Sequence, residues 1–211
     1  GRTLSLLADL SSPQRVLAAI NRHCTRFDMA VDGIACFDCE SLALAAFLGR
    51  KLHLDFVSPQ AVTLSRDKFA SKQAWKQHGI ACPEIDVIHS LKDALDFLDR
   101  LESPVVLKPL TGSGSELTFV CHDRYEVTQA FESLEIGLAR RSHARMYAPV
   151  QPQGRVVDPK TTFGAEQYVE GREYSCDFII ENNRVEIIRT AKKIPAKGEA
   201  FGTTLAYLVP G

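Results

Sequence analysis

The stretch Pro104-Val-Val-Leu-Lys-Pro-Leu-Thr-Gly-Ser-Gly-Ser115 decides how this chain folds. Residues 104–107 are apolar and β-branched with Pro at the first position, the signature of a short buried strand. The strand delivers Lys108 to its end, and Pro109 stops it. A loop of glycines and hydroxyls follows at residues 111–115, and residues 117–120 read as a return strand. Glycines let successive backbone N–H groups turn toward one point, hydroxyls add donors, and the lysine adds a point charge. That combination suits a phosphate group. The same residues also suit a β-hairpin with a polar turn and a surface lysine. A Walker A loop is excluded, because no Gly-Lys-Ser/Thr follows the glycines and the lysine precedes them.

Outward from this stretch the pattern alternates. Residues 4–10 and 29–37 are apolar enough for strands, the second weakened by Asp32-Gly33. Ser12-Pro13 reads as an N-cap followed by Pro at N1, opening a helix with Val16, Leu17 and Ile20 on one face. Residues 41–51 form an Ala- and Leu-rich helix. The order strand, helix, strand, helix predicts a parallel α/β layer. Residues 56–64 read as a linker containing Ser58-Pro59. A helix opens near Asp67-Lys68 and ends at Gly79, a strand covers 84–88, and Ser90 caps a helix with Leu91, Ala94, Leu95, Leu98 and Leu101 at helical spacing. Asp123 with Glu126 three residues on opens another helix. Residues 140–162, with three prolines, read as a long loop, of the length usually reserved for functional or disordered segments. His143 is the one histidine there.

The last third is a hairpin. Residues 165–169 form a short strand, and residues 173–181 alternate cleanly before a two-residue turn at Asn182-Asn183. Counting back from that turn pairs Glu181 with Arg184, Asp177 with Ile188 and Glu173 with Lys192. Lys192 is thereby expected on the Glu173 face and Lys193 on the other.

Composition excludes several classes. With 211 residues, 45% hydrophobic and 24% charged, the chain is ordinary globular material. A formal net charge of -1 gives no basis for a nucleic-acid or membrane surface. Neither a secretory leader nor a run of transmembrane length is read, and the start Gly1-Arg2-Thr3 without Met suggests a processed chain or a fragment. Of six cysteines only Cys36-Phe-Asp-Cys39 is close-spaced, and no second pair at zinc spacing accompanies it, so reduced cysteines and a cytoplasmic setting are expected.

Taken together, the Asp67-Lys68 helix start, Gly79-Ile-Ala-Cys-Pro83, the lysine strand, the loop at 111–115 and Glu166-Gln-Tyr-Val-Glu-Gly-Arg-Glu173 resemble the ATP-grasp superfamily, in particular carboxylate–amine ligases. The resemblance runs from about residue 61 onward. It implies an α/β fold, with residues 1–64 a partial pre-ATP-grasp parallel α/β domain and residues 65–211 the ATP-grasp α+β subdomains, incomplete at the C-terminus. It implies that Lys68, Lys108 and Lys192 contact nucleotide phosphates. Thr111, Gly112, Ser113, Gly114 and Ser115 would close over the β- and γ-phosphates. The hinge Glu166, Gln167, Tyr168 and Val169 would read adenine, with Glu166 accepting from the exocyclic amine, and Glu173 would accept from the ribose hydroxyls. ATP and Mg²⁺ are the implied cofactors, the metal ligands being expected beyond residue 211. For the intact protein it implies ligation of a carboxylate to an amine through an acyl phosphate, and it leaves a homodimer open; the chain alone is expected to bind nucleotide weakly and turn over poorly. A bicarbonate-activating enzyme of the same fold and a non-catalytic nucleotide-binding module are the rival readings. On residue chemistry alone Lys68 also reads as a solvated helix lysine, Glu173 as half of a cross-strand ion pair, and Glu166 as a solvent-face strand residue.

Overall fold

The computed structural model describes residues 5–141, 145–147, 157–182, 184–196 and 204–209. His143, most of the expected long loop, and Asn183 lie outside the described residues.

Four helices come first: α1 (Pro13–Phe27), α2 (Leu42–Leu52), α3 (Pro59–Arg66) and α4 (Lys68–Gln77). Pro at N1 opens both α1 and α3, each after a serine. The expected linker at 56–64 is therefore mostly helix: Ser58 caps α3 by accepting from the Ala61 N–H at 3.1 Å. Of the two segments expected as parallel strands, 4–10 and 29–37, residues 5–10 and 29–37 are described and carry no strand, and every described strand pair is antiparallel. A strand exists only by pairing, and residues 29–37 are almost all exposed with no ladder partner.

Then come β1 (Ile85–Ile88), α5 (Leu91–Leu101), β2 (Val105–Pro109), β3 (Phe119–Cys121), α6 (Arg124–Arg140), a 3₁₀ turn (Arg145–Tyr147) and β4 (Phe163–Gln167). The strands form one antiparallel sheet in the order β1-β4-β2-β3. Its two faces have different tasks, because successive side chains point to opposite sides. Val105, Leu107, Phe163 and Ala165 point into the core, where α5 and α6 bring Phe97, Leu98, Phe131, Leu134 and Leu138. Phe131 meets Phe163 edge to face at 5.3 Å. The intervening residues Val106, Lys108, Gly164 and Glu166 take the other side. The cap signals hold: Ser90 and Asp93 form a reciprocal capping box, and Asp123 accepts from the Glu126 N–H.

The second sheet joins β5 (Tyr174–Glu181), β6 (Arg184–Pro195) and β7 (Thr204–Leu208) in that order. Near the turn the register is as expected, with Glu181 opposite Arg184. It then shifts: Phe178 faces Ile187 but Asp177 faces Arg189, so Ile188 is the extra residue of a β-bulge. The regular register would set Asp177 against an isoleucine. The shifted one lets Arg189 donate to Asp177 at 2.8 Å. The consequence travels down the strand, so Tyr174, not Glu173, opposes Lys192. The expected sharing of a face by Glu173 and Lys192 is thus corrected. Lys193 takes that place, its backbone N–H donating to the Glu173 carbonyl at 2.9 Å and its ammonium pairing with the Glu173 carboxylate.

Asp67 closes α3 and caps α4, its buried carboxylate accepting from the Ala70 N–H at 2.9 Å. Asp67→Ala is expected to lower stability by about 1–2 kcal/mol in a urea titration; an unchanged midpoint would mean that the cap contributes nothing.

Candidate functional site

On the sheet face away from α5 and α6, Lys108 from β2 and Glu166 from β4 lie side by side. The Lys108 ammonium is 2.7 Å from Glu166 Oε2. A second lysine reaches the same oxygen from α4: Lys72 at 2.9 Å. All three side chains are largely buried. Lys68, one turn earlier on α4, points toward the loop and donates to the carbonyls of Thr111 at 3.2 Å and Gly112 at 3.4 Å. Its backbone N–H donates to the Leu110 carbonyl at 2.9 Å, which ties the start of α4 to the end of β2.

Two ammonium groups therefore share one carboxylate, with a third, that of Lys68, close by in a half-dry setting. Burial, with the Lys108 and Lys72 charges behind it, pushes the Lys68 pKa down to about 8. Burial also lowers that of Lys108, with Glu166 opposing the shift. A cation excess held in low dielectric is an anion receptor.

The space above it is a cavity of about 250 Å³ lined by Lys68, Lys108, the loop 111–115, Glu116, Thr118 and Glu173. The structure thus gathers Lys68, Lys108, Thr111, Gly112, Ser113, Gly114, Ser115 and Glu173 around one volume. Thr111 is fully buried, whereas residues 113–115 are exposed. Glu166 joins them through Lys108. Gln167 ends β4, Tyr168 and Val169 follow it, and none of the three lines the cavity. The Gln167 N–H is used by the Glu84 carbonyl at 2.8 Å and that of Tyr168 by the Pro104 carbonyl at 3.0 Å, while Val169 is exposed. Lys192 lies on the strand face opposite Glu173.

Sequence reasoning missed Lys72 and Glu116. Lys72 had a signal, since it stands four residues after Lys68 and so shares its helix face. Glu116 had none, because its partners come from distant parts of the chain. Among the described residues no group of three or more His, Cys, Asp or Glu side chains converges to hold a metal ion, so they do not by themselves fit magnesium. Also among them, no helix is long and apolar enough to cross a membrane.

Comparison with known proteins points one way. The family model described as ATP-grasp domain matches residues 101–211. A D-alanine–D-alanine ligase from Ralstonia pickettii is 29% identical over 121 residues, which is 57% of this chain and 30% of that protein. Its counterpart from Bordetella petrii is 39% identical over 51 residues, covering 24% of this chain and 16% of that protein. Among solved structures, an L-amino acid ligase from Bacillus licheniformis superposes with a TM-score of 0.69 at 20% identity, covering 95% of this chain and 41% of the other. Biotin carboxylase from Campylobacter jejuni gives 0.63 at 18% identity over 85% of this chain and 38% of its own. These two likenesses bear on the fold. The chain spans less than a third of the length of the curated relatives it matches.

Removing the shared carboxylate leaves two buried ammonium groups without their counter-charge. Glu166→Gln is expected to cost about 3 kcal/mol in urea unfolding at pH 7; a loss below about 0.5 kcal/mol would show that solvent screens the cluster.

Proposed function

We propose, from the premise that this chain belongs to the ATP-grasp domain family, that the whole protein is an ATP-dependent carboxylate–amine ligase and that residues 65–211 supply most of its nucleotide cradle. One observation carries this reading: the ammonium groups of Lys68 and Lys108 meet beneath the glycine-serine loop, and the buried carboxylate of Glu166 is shared by Lys108 and Lys72.

In this reading the phosphates of ATP enter the cavity. Lys68 and Lys108 pair with their oxygens, and the backbone N–H groups and hydroxyls of residues 111–115 close around them. Glu173, on the rim, accepts from the ribose hydroxyls. The exposed Val169 offers its backbone to the adenine edge, with Gln167 and Tyr168 as walls. Glu166 gives Oε2 to Lys72 and Lys108, which orients the phosphate lysine, and in this reading its Oε1 accepts from the exocyclic amine of adenine. Lys193 replaces Lys192 as the lysine beside Glu173.

The γ-phosphoryl passes to a carboxylate oxygen, giving an acyl phosphate and ADP. An amine then attacks the acyl carbon, forming the amide and releasing phosphate. Positioning and charge stabilisation supply the catalysis, so no nucleophilic side chain is required. The roles assigned to this chain's residues involve no metal ion, since those described do not by themselves fit one. The curated relatives are named for joining amino acids, which favours an amino-acid carboxylate over bicarbonate as the acceptor. The whole protein then works where ATP and free amino acids meet, in the cytoplasm.

ATP should raise the melting temperature of this chain, and Lys108→Ala should weaken ATP binding about tenfold or more. A parent chain that ATP neither stabilises nor binds overturns the cradle. With the whole protein, phosphate release should require an added amino acid and yield a dipeptide by mass spectrometry; release with bicarbonate alone would reassign the acceptor.

Lys68 gives this cradle a pH signature. Bound phosphate raises its pKa, so affinity is flat below about pH 8. It falls above that, as binding must then recover the proton, by at most about tenfold per pH unit. Calorimetric titration with ATP from pH 7 to 9.5 reads this directly, and a flat profile would remove Lys68 from the contacts.

A further inference from the structure

The loop that closes the cavity is bent against its own preferences. Gly112 and Gly114 have φ of +105° and +69°, which glycine accepts freely. Ser115 and Leu117 have φ of +58° and +53°, in the left-handed region that side chains disfavour. Such residues persist where their surroundings over-determine them. Glu116 stands between the two.

What holds Glu116 comes from beyond the sheet. Tyr147, in the 3₁₀ turn, donates its hydroxyl to Glu116 Oε2 at 2.7 Å. Arg141, at the end of α6, donates its Nε to Glu116 Oε1 at 2.7 Å, and its guanidinium pairs with the same oxygen. The Tyr147 ring, buried to 2% exposure, lies under the other end of the loop. A Cβ on Gly112 would stand 3.0 Å from a ring carbon. Leu117 packs on α6 so closely that a Cβ on Gly137 would come within 2.7 Å of it. The hydrogen bond from Tyr147 and the Arg141 charge keep the Glu116 carboxylate ionised, and burial keeps the Tyr147 hydroxyl protonated.

We infer that Glu116, Tyr147 and Arg141 form a latch that fixes both ends of the glycine-serine loop, so that its exposed tip, residues 113–115, presents donors to the β- and γ-phosphates of a nucleotide. The three are positioning residues: they shape the loop, and Arg141 cancels the negative charge that Glu116 would otherwise turn toward a polyphosphate. The inference rests on the nucleotide reading of the cavity. It goes beyond that reading by assigning the discrimination between a triphosphate and a monophosphate to side chains behind the loop.

The test uses this chain with ATP and AMP as probes and two variants, Tyr147→Phe, which keeps the ring under Gly112, and Glu116→Gln. Each is expected to weaken ATP about tenfold and leave AMP unchanged. The double variant should lose no more than the larger single loss, as for groups acting as one unit. Equal losses for ATP and AMP, or no loss for either, overturn the latch. Hydrogen exchange on the nucleotide-free chain separates this outcome from a failure of the cavity reading. Amides 112–117 should exchange faster in Tyr147→Phe while those in the middle of α6 do not change. If the parent binds no nucleotide, faster exchange sustains the latch as a loop clamp and overturns only its ligand. Unchanged exchange overturns the latch itself.

Discussion

Glu166 carries the constraint on which the rest of this site depends. Two buried ammonium groups, from Lys72 and Lys108, converge on one of its oxygens. Removing any of these charges from water costs several kcal/mol, and only close pairing offsets it. The pairing fixes three elements at once: β2 through Lys108, β4 through Glu166, and α4 through Lys72. With α4 held there, Lys68 falls beside the loop and its charge, which Asp67 and Glu166 only partly offset, enters the cavity. The cationic floor is thus a by-product of satisfying Glu166, and its excess charge is what makes it receptive to an anion.

The sheet delivers this arrangement by simple alternation. Core packing demands that Val105, Leu107, Phe163 and Ala165 face α5 and α6, and the same pleat then turns Lys108 and Glu166 together on the far side. Hydrophobic burial on one face therefore sets the register of the charges on the other. A one-residue slip between β2 and β4 would break the ion pair and expose the core together, which couples the stability of the fold to the geometry of the site.

Local signals were legible where one residue decides one feature. The helix start at Asp67-Lys68, the caps at Ser90 and Asp123, the helical stripes of α5 and α6, and the lysine strand before its loop could all be read from spacing. Ser58-Pro59 carried the same start signal as Ser12-Pro13 but sat among residues 56–64, whose mixed polarity hid the helix. Residues 5–10 and 29–37 had strand-like composition, yet composition does not supply a neighbour to pair with. The cross-strand partner of Glu173 was out of reach for another reason. Counting from a turn assumes an unbroken ladder, and the bulge at Ile188, beside which Asp177 pairs with Arg189, breaks it.

That bulge bears on the chemistry as well as the register. Without it, Lys192 would stand beside Glu173 and Lys193 would turn away. With it, Lys193 neutralises Glu173, so the rim of the cavity presents a paired carboxylate in place of a free one. A free carboxylate there would repel the phosphates that Lys68 and Lys108 attract. A paired one keeps its lone pairs for hydroxyl donors while contributing little net field. The same economy operates at Glu116, where Arg141 cancels the charge. Every acidic side chain lining the cavity thus has a cationic partner, and the loop-side lysine, Lys68, is left to face an incoming anion.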